Sequence, residues 1–316
     1  MTSRQASASP RSTGAVPKDV VAGLRISHPT RLVYPDPPLT KLDIARYYER
    51  VAHWMVPHVR ARPLTLVHCP SGLPGGCRYM RHSKVWGPAA LRRVRIPERT
   101  KLGEYLVADT PQALVALAQM GVLEIHTWNA LADDVERPNR IVWDLDPGPR
   151  VSWRQTVAAA RQLREVLRLL GLEVWPKTTG GNGLHVVAPL APSRRWDECL
   201  SFARAIARLL EGSAPALYTT AFATRGREAR ILVDYLRNNR TNTTIAAFST
   251  RARPGAPVAM PLRWEDLRAV RPSFTVQGVL RRLTRCRTDP WDGYWECGQR
   301  LTSRMVAAVT ALASPG

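Results

Sequence analysis

Ile141-Val142-Trp143-Asp144-Leu145-Asp146-Pro147-Gly148-Pro149 reads as a buried strand running into a turn, and it carries two carboxylates two positions apart. Side chains alternate along a strand with period two. Asp144 and Asp146 therefore share one face, while Ile141, Trp143 and Leu145 take the other, apolar face. Two carboxylates side by side in partly apolar surroundings repel each other, and one tends to protonate unless a cation lies between them. Hard oxygen ligands of this kind favour Mg²⁺ or Mn²⁺. The plain alternative is a strand end whose acids face water before a Pro-Gly-Pro turn, and three residues alone do not separate the two.

Two stretches further along sharpen the reading. Lys177-Thr178-Thr179-Gly180-Gly181-Asn182-Gly183-Leu184-His185 places three glycines in four positions. Such a turn lets backbone N–H groups approach a ligand closely. Thr178, Thr179 and Asn182 add neutral donors, and Lys177 and His185 bracket the turn. This suits a triphosphate cradle, although no Gly-Lys-Ser/Thr follows as in a Walker A loop. A tight hairpin that needs glycine for its backbone angles would look the same. In Ile231-Leu232-Val233-Asp234-Tyr235-Leu236 a single acid interrupts an apolar strand. A buried charge needs a partner, either a metal shared with Asp144 and Asp146 or an arginine. Three acids on two strands beside a phosphate-type turn fit two-metal nucleotidyl transfer.

The charge balance agrees. Lys+Arg 46 against Asp+Glu 25 gives a net +21 over 316 residues, which favours a polyanionic partner, most simply nucleic acid. The lysines are Lys18, Lys41, Lys84, Lys101 and Lys177; every other basic residue is arginine, whose fork matches phosphate oxygens. A coding bias toward arginine would explain the Arg:Lys ratio but not the excess charge. Cys69, Cys77, Cys199, Cys286 and Cys297 are odd in number and sparse, against a secreted disulfide scaffold. His68 and His82 flank the first pair, but no C-x-x-C spacing supports zinc. No apolar run approaches the ~20 residues of a membrane span.

Residues 1–20 read as a disordered basic tail, followed by a single domain over 21–316. Thr40-Lys41-Leu42-Asp43 is a variant capping box that opens a helix through Val59. A second helix is expected from Pro111 to Met120, stopped by Gly121, then a strand from Val122 to Trp128. A helix from Trp153 to Leu170, strands at 172–178 and 184–190, a helix from Arg195 to Leu210 and a strand from Arg230 to Leu236 follow. Residues 251–261 carry Arg and Pro and read as an exposed connector. Helical pieces are expected near 262–269 and 275–283. Strands and helices mix without regular βαβ spacing, which implies α+β with mixed sheets flanked by helices.

Taken together, Val142-Trp143-Asp144-Leu145-Asp146-Pro147, Lys177 to His185, and Val233-Asp234-Tyr235 resemble the three motifs of the archaeo-eukaryotic primase superfamily. The nearest likeness is the polymerase domain of bacterial ligase D, which acts in non-homologous end joining. The resemblance runs from about Ile26 to Leu283 and includes Leu32-Val33-Tyr34-Pro35, the segment Leu114 to Trp128, and Arg251-Ala252-Arg253-Pro254-Gly255-Ala256-Pro257.

It implies a primase-like catalytic core over about 136–290, preceded by a DNA-end-binding part over about 21–135. It implies template-dependent extension of 3′ ends at DNA breaks and gaps, with a preference for ribonucleotides. Mn²⁺ or Mg²⁺ would be held by Asp144, Asp146 and Asp234. The nucleoside triphosphate would meet Lys177, Thr179, Gly180, Gly181, Asn182, His185, Arg251 and Arg253. A pocket for a DNA 5′-phosphate maps onto His28, Arg31 and Lys41, and a base-stacking and template segment onto Arg78, Tyr79, Arg81 and His82. Partners on this reading are DNA ends with overhangs or gaps, Ku and a separate DNA ligase, for a cytoplasmic, nucleoid-associated protein. The chain departs from the family pattern at Thr179, Asn182 and Arg78, where Ser, Lys and an aromatic residue are usual. No ligase-type Lys-x-Asp-Gly occurs, so a free-standing polymerase domain is expected.

Three rivals remain at this level. A glycosyltransferase also uses D-x-D with Mn²⁺, but it needs neither the net +21 nor a third acid. A non-catalytic DNA-end-binding module would not need all three acids. A primase starting chains de novo shares every motif.

Overall fold

The computed structural model describes residues 17–82, 88–267, 274–286 and 288–313. The acidic strand, Arg140–Pro147, is the centre of a five-stranded sheet in the order Trp175–Thr178, Leu184–Pro189, Arg140–Pro147, Ile231–Asp234, Tyr218–Thr219. All pairings are antiparallel except the last, which is parallel. The chain is thus α+β with a mixed sheet, as the element pattern implies.

Alternation along the acidic strand decides what covers each face. Ile141, Trp143 and Leu145 enter the main core beneath the helices Trp153–Leu169 and Trp196–Ser213. Trp143 Nε1 donates to the Ala203 carbonyl at 3.1 Å, so the one polar atom of that ring is satisfied. The Trp153–Leu169 helix opens on a Ser152/Gln155 capping box and buries Val157, Ala160, Leu163 and Leu167 at helical spacing. Each fully buried aliphatic chain contributes about 1.5–3 kcal/mol. On the opposite face Val142 packs with Val187, Trp291 and Tyr294. Further along that face the apolar cover ends and Asp144 and Asp146 begin.

A second, four-stranded antiparallel sheet runs Thr244–Ile245, Val122–Thr127, Leu64–His68, Arg78–Met80. Thr244–Ile245 comes from beyond the acidic strand, so segments from before and after that strand share this sheet. The Lys41–Val59 helix has the expected capping box: Thr40 Oγ1 accepts from Asp43 N, and Asp43 Oδ2 accepts from Thr40 N. It packs on the Pro111–Gln119 helix. Tyr47 donates to the Phe248 carbonyl at 2.7 Å, and Tyr48 bonds Thr250 Oγ1 at 3.0 Å.

Those tyrosines belong to a correction. Residues 251–261 are not an exposed connector: Ala256, Val258, Ala259 and Met260 are buried. The segment lies against the edge of the five-stranded sheet, with Thr178 N donating to the Met260 carbonyl and a bridge between Lys177 and Pro261. Its prolines end regular pairing without sending it into solvent. Other elements differ in extent. The 172–178 strand begins only at Trp175, and the 230–236 strand stops at Asp234, followed by a short 3₁₀ turn at Leu236–Asn238. Of the piece expected near 262–269, Trp264–Leu267 is a 3₁₀ turn, and 268–269 lie outside the described residues. The Arg92–Pro97/Leu102–Val107 hairpin and the Ser303–Ala313 helix have no counterpart in the sequence reading. Cys69 and Cys77 form a disulfide, which the sparse cysteine pattern did not suggest. Of the expected tail, residues 1–16 lie outside the described residues, while Val20–Val21 pairs with Leu24–Arg25. Among the described residues no helix is long and apolar enough to cross a membrane.

Candidate active site

Strand register brings the motifs together. Asp144 lies opposite His185 on one side and Asp234 on the other, and Asp146 lies opposite Leu232. All three aspartates line one cavity of about 410 Å³, with Thr179, Gly181, Asn182, Gly183 and His185 of the Gly-rich turn and strand. Arg227, Arg237, Arg251 and Arg253 complete its charged wall, four guanidiniums against three carboxylates. A larger hollow, between Trp264–Leu267 and Val276–Leu283, holds four arginines and only one acid, Asp266. It lacks the carboxylate set that the chemistry needs.

The Gly-rich turn is shaped by contact with the acidic strand. Gly180 has φ +71°, and a Cβ there would lie 2.7 Å from Arg251 Cγ. A Cβ on Gly183 would lie 2.7 Å from the Leu145 carbonyl oxygen. A side chain at Gly183 would push the turn away from the acidic strand, and one at Gly180 would strain the left-handed backbone and meet Arg251. Thr179 Oγ1 donates to the Gly183 carbonyl and accepts from Gly181 N, both at 3.2 Å. Its hydroxyl therefore holds the turn closed. Arg251 Nη1 donates to the Thr179 carbonyl at 2.6 Å, tying the 250–261 segment to the same turn.

Lys177 is placed differently from its expected role. It is buried, its Nζ donates to the Ile245 carbonyl at 3.0 Å, and it is absent from the cavity wall. Burial, then the Arg140 charge, holds its ammonium well below the usual lysine range. Lys177 in turn acts on His185, whose pKa is pushed down to about 4 by burial and then by Lys177. His185 is accordingly a neutral ring, with Nε2 3.5 Å from Asp144 Oδ2.

The carboxylates are electrostatically unequal. Burial pushes Asp144 up, but His185, Arg237 and Lys177 outweigh it and hold the carboxyl well below its ordinary range. Asp146 is raised by burial and by Asp144 beside it. Asp234 is raised chiefly by burial, with Asp144 adding to the shift against the pull of Arg237. Arg237 bridges the two strands: Nη2 lies 3.1 Å from Asp144 Oδ2, and Nε lies 3.1 Å from Asp234 Oδ2. Arg227 Nη2 reaches Asp146 Oδ2 at 3.0 Å. Among the described residues no group of three His, Cys, Asp or Glu side chains is placed, as it stands, to hold a metal ion. The donor set nonetheless fits a hard divalent cation. Three carboxylates face one cavity, two of them with proton affinities raised by burial and like charge, and guanidiniums now supply the positive charge.

Sequence reasoning did not select Arg227, Arg237, His126 or Glu124 as site residues. His126 lines the cavity, and its Nε2 lies 2.8 Å from Glu124 Oε2. The available signal was Glu124-Ile125-His126, a second pair of polar residues two apart on an apolar strand, which period two puts on one face. Tyr79 is 72% exposed at the cavity mouth, with its ring 6.1 Å from that of His126. Arg78 precedes it on the same strand and so takes the opposite face. Arg81 is exposed, and His82 is engaged elsewhere, with Nε2 2.7 Å from Glu98 Oε1. Neither is in the cavity wall.

The basic residues near the chain start gather at a separate corner. Lys41 N donates to the Arg31 carbonyl, Leu42 N to the Pro29 carbonyl, and Arg31 N to the His28 carbonyl. The 28–31 segment thus wraps the first turn of the Lys41–Val59 helix. Lys41 is buried, Nζ sits 3.3 Å from Ser27 Oγ, and burial followed by the Arg31 charge lowers its pKa to about 8.

Comparison with known proteins agrees with this geometry. The family profile described as "LigD, primase-polymerase domain" matches residues 40–291. The "Multifunctional non-homologous end joining protein LigD" of Pseudomonas aeruginosa is 35% identical over 306 residues, covering 93% of this chain and 36% of that protein. Its namesake from Mycolicibacterium smegmatis is 32% identical over 77% of this chain and 32% of its own length. The chain thus spans about a third of the curated relatives it matches. The polymerase domain of Mycobacterium tuberculosis ligase D, solved in complex with DNA, superposes with a TM-score of 0.78 at 29% identity, over 90% of this chain and 98% of that one. The chain belongs to the LigD primase-polymerase domain family and shares its fold, which makes it a nucleotidyltransferase of the primase-polymerase class.

Proposed function

We propose that this chain extends 3′ ends at DNA breaks and gaps, copying a template from nucleoside triphosphates, with ribonucleotides preferred, in non-homologous end joining. The observation that carries the reading is the convergence of Asp144, Asp146, Asp234 and the Gly-rich turn on one cavity. The three aspartates would hold Mn²⁺ or Mg²⁺, which would supply charge neutralisation and activation of the attacking hydroxyl. The chain's own residues do the positioning. Arg251, Arg253 and the backbone of the 179–183 turn take the phosphates, with Asn182 as a neutral contact. Neutral His185 adds a hydrogen-bonding group without adding charge. Tyr79, at the cavity mouth, gives a base a flat surface on which to stack, with the His126 ring behind it. His28, Arg31 and Lys41 receive the 5′-phosphate on the far side of a gap, where the start of the helix adds its positive end. End-joining partners on this reading are Ku and a DNA ligase activity, and the place of work is the nucleoid.

The four guanidiniums of the cavity wall are nearly balanced by its three carboxylates, too little positive charge for a triphosphate without metal, whereas the +21 chain as a whole suits the DNA. The test is extension of a labelled primer on gapped and 3′-overhanging DNA by the purified protein with Mn²⁺, comparing ribo- and deoxyribonucleotides on a gel. Templated addition with faster ribonucleotide use is the expected result. A folded protein that binds DNA yet adds nothing with either metal or sugar would overturn the proposal.

A further inference from the structure

We propose that Glu124 is the positioning residue of the nucleotide site, holding His126 and Arg251 as one unit so that the base-side and phosphate-side walls keep a fixed separation. The inference rests on the cavity being a nucleotide site, as proposed above. Glu124 itself is not in the cavity wall; its side chain is 6% exposed. Its two oxygens face different partners. Oε2 lies 2.8 Å from His126 Nε2. Oε1 pairs with Arg251 Nε at 3.0 Å and accepts from Ala252 N at 2.9 Å.

Each partner leads to a different part of the cavity. Through Arg251, whose Nη1 bonds the Thr179 carbonyl, the carboxylate governs the Gly-rich turn. Through His126 it governs the ring beside Tyr79. Glu124 sits on the four-stranded sheet, and the turn belongs to the five-stranded sheet, so one buried carboxylate couples the two sheets exactly where the cavity lies between them. Arg251 has a long side chain with several rotatable bonds, and a fixed ion pair at Nε removes most of that freedom before the ligand arrives. The plain alternative is that Glu124 only neutralises a buried arginine and matters for folding alone.

The two roles separate experimentally. Glu124→Gln keeps the size and an oxygen acceptor for Ala252 N but loses the charge that orients Arg251 and His126. Wild type and E124Q are compared for KM of the nucleotide, kcat, DNA dissociation constant without nucleotide, and melting temperature. The expected result is a KM raised by roughly tenfold or more, with kcat changed much less and DNA affinity within about twofold of wild type. An unchanged KM in folded E124Q overturns the inference, as does a parallel loss of KM, DNA affinity and melting temperature. Glu124→Asp, which keeps the charge at a shorter reach, should recover part of the KM loss; no recovery relative to E124Q also counts against it. If wild type itself adds no nucleotide, the proposed function fails first, which is a distinguishable outcome.

Discussion

Two charged regions of this molecule are built on opposite plans. At the acidic cavity, Asp144, Asp146 and Asp234 face Arg227 and Arg237 within 3.0–3.1 Å, so the charges are matched inside the chain. At the start of the Lys41–Val59 helix, Lys41 Nζ has a serine hydroxyl at 3.3 Å as its hydrogen-bond partner among the described residues, and Arg31 Nη1 donates to the Pro70 carbonyl at 2.8 Å. Asp43 is nearby, but its Oδ2 is engaged by Thr40 as a cap. The first region satisfies itself, and on the proposed function a metal would take over from a guanidinium there. The second keeps cations on neutral partners, as a site for a dianion would. Self-pairing gives a site that is stable when empty, whereas unpaired cations give one that gains free energy from its ligand.

The largest effect should come from the acids. Asp144→Ala, Asp146→Ala and Asp234→Ala are each expected to lower extension by at least about 10³-fold while leaving DNA affinity within about twofold. Single-turnover extension and DNA binding measured on the same preparations check this. Substantial extension by folded Asp144→Ala would break the comparison, because the acidic cavity would then be structural.

The basic corner should show a smaller effect specific to the DNA end. Lys41→Ala is expected to cost roughly 1.5–3 kcal/mol of the preference for 5′-phosphorylated over 5′-hydroxyl gapped DNA. The preference should also depend on pH. In the free protein Lys41 loses its proton as pH rises through about 8, because burial and then Arg31 lower its pKa from 10.5. Phosphate discrimination should therefore decline between about pH 7 and pH 9, whereas an ordinary lysine would hold it to higher pH. The effect on stability runs the opposite way: the contribution of this group is present above 10.5 and lost as pH falls through about 8. Equal affinity of wild type for the two DNAs would show that the corner is no phosphate pocket.

The smallest effect concerns the self-pairing. Arg237→Ala leaves Asp144 and Asp234 without their shared cation. Allowing for solvent at a guanidinium that is 40% exposed, the loss should be about 1–2 kcal/mol in metal-free protein. Mn²⁺ should restore much of it, since the metal takes over the same charge. Thermal unfolding with and without Mn²⁺ measures both terms. No destabilisation, or one that Mn²⁺ leaves untouched, would mean that the arginine does not stand in for a cation.

Much of the site was legible in the chain itself. D-x-D with apolar neighbours at alternate positions dictated the orientation of Asp144 and Asp146. The glycines of 180–183 announced a close backbone approach, and Gly183 makes one, against Leu145 of the acidic strand. Thr40 and Asp43 marked a helix start that the structure keeps. These are local rules of period, turn chemistry and capping, and they act within a few residues. The exposed-connector reading of 251–261 failed because the segment packs on the edge strand at 175–178, more than 70 residues away. The Cys69–Cys77 disulfide depends on a loop closing after the Leu64–His68 strand, which cysteine counting does not register.

The sequence by itself determined which ligand chemistry to expect: oxygen donors suited to a hard metal, a turn suited to phosphates and an arginine excess suited to nucleic acid. Only the tertiary structure decided how those charges are shared. Packing placed Lys177 against the Ile245 carbonyl, away from the cavity wall, and buried His185, whose pKa that burial and then Lys177 push down to about 4. Strand register set Asp234 opposite Asp144, and the 3₁₀ turn after Asp234 carried Arg237 back between them. Residue type sets what a side chain can bind, whereas its charge state and partner depend on the dielectric and the neighbours that distant parts of the chain bring to it.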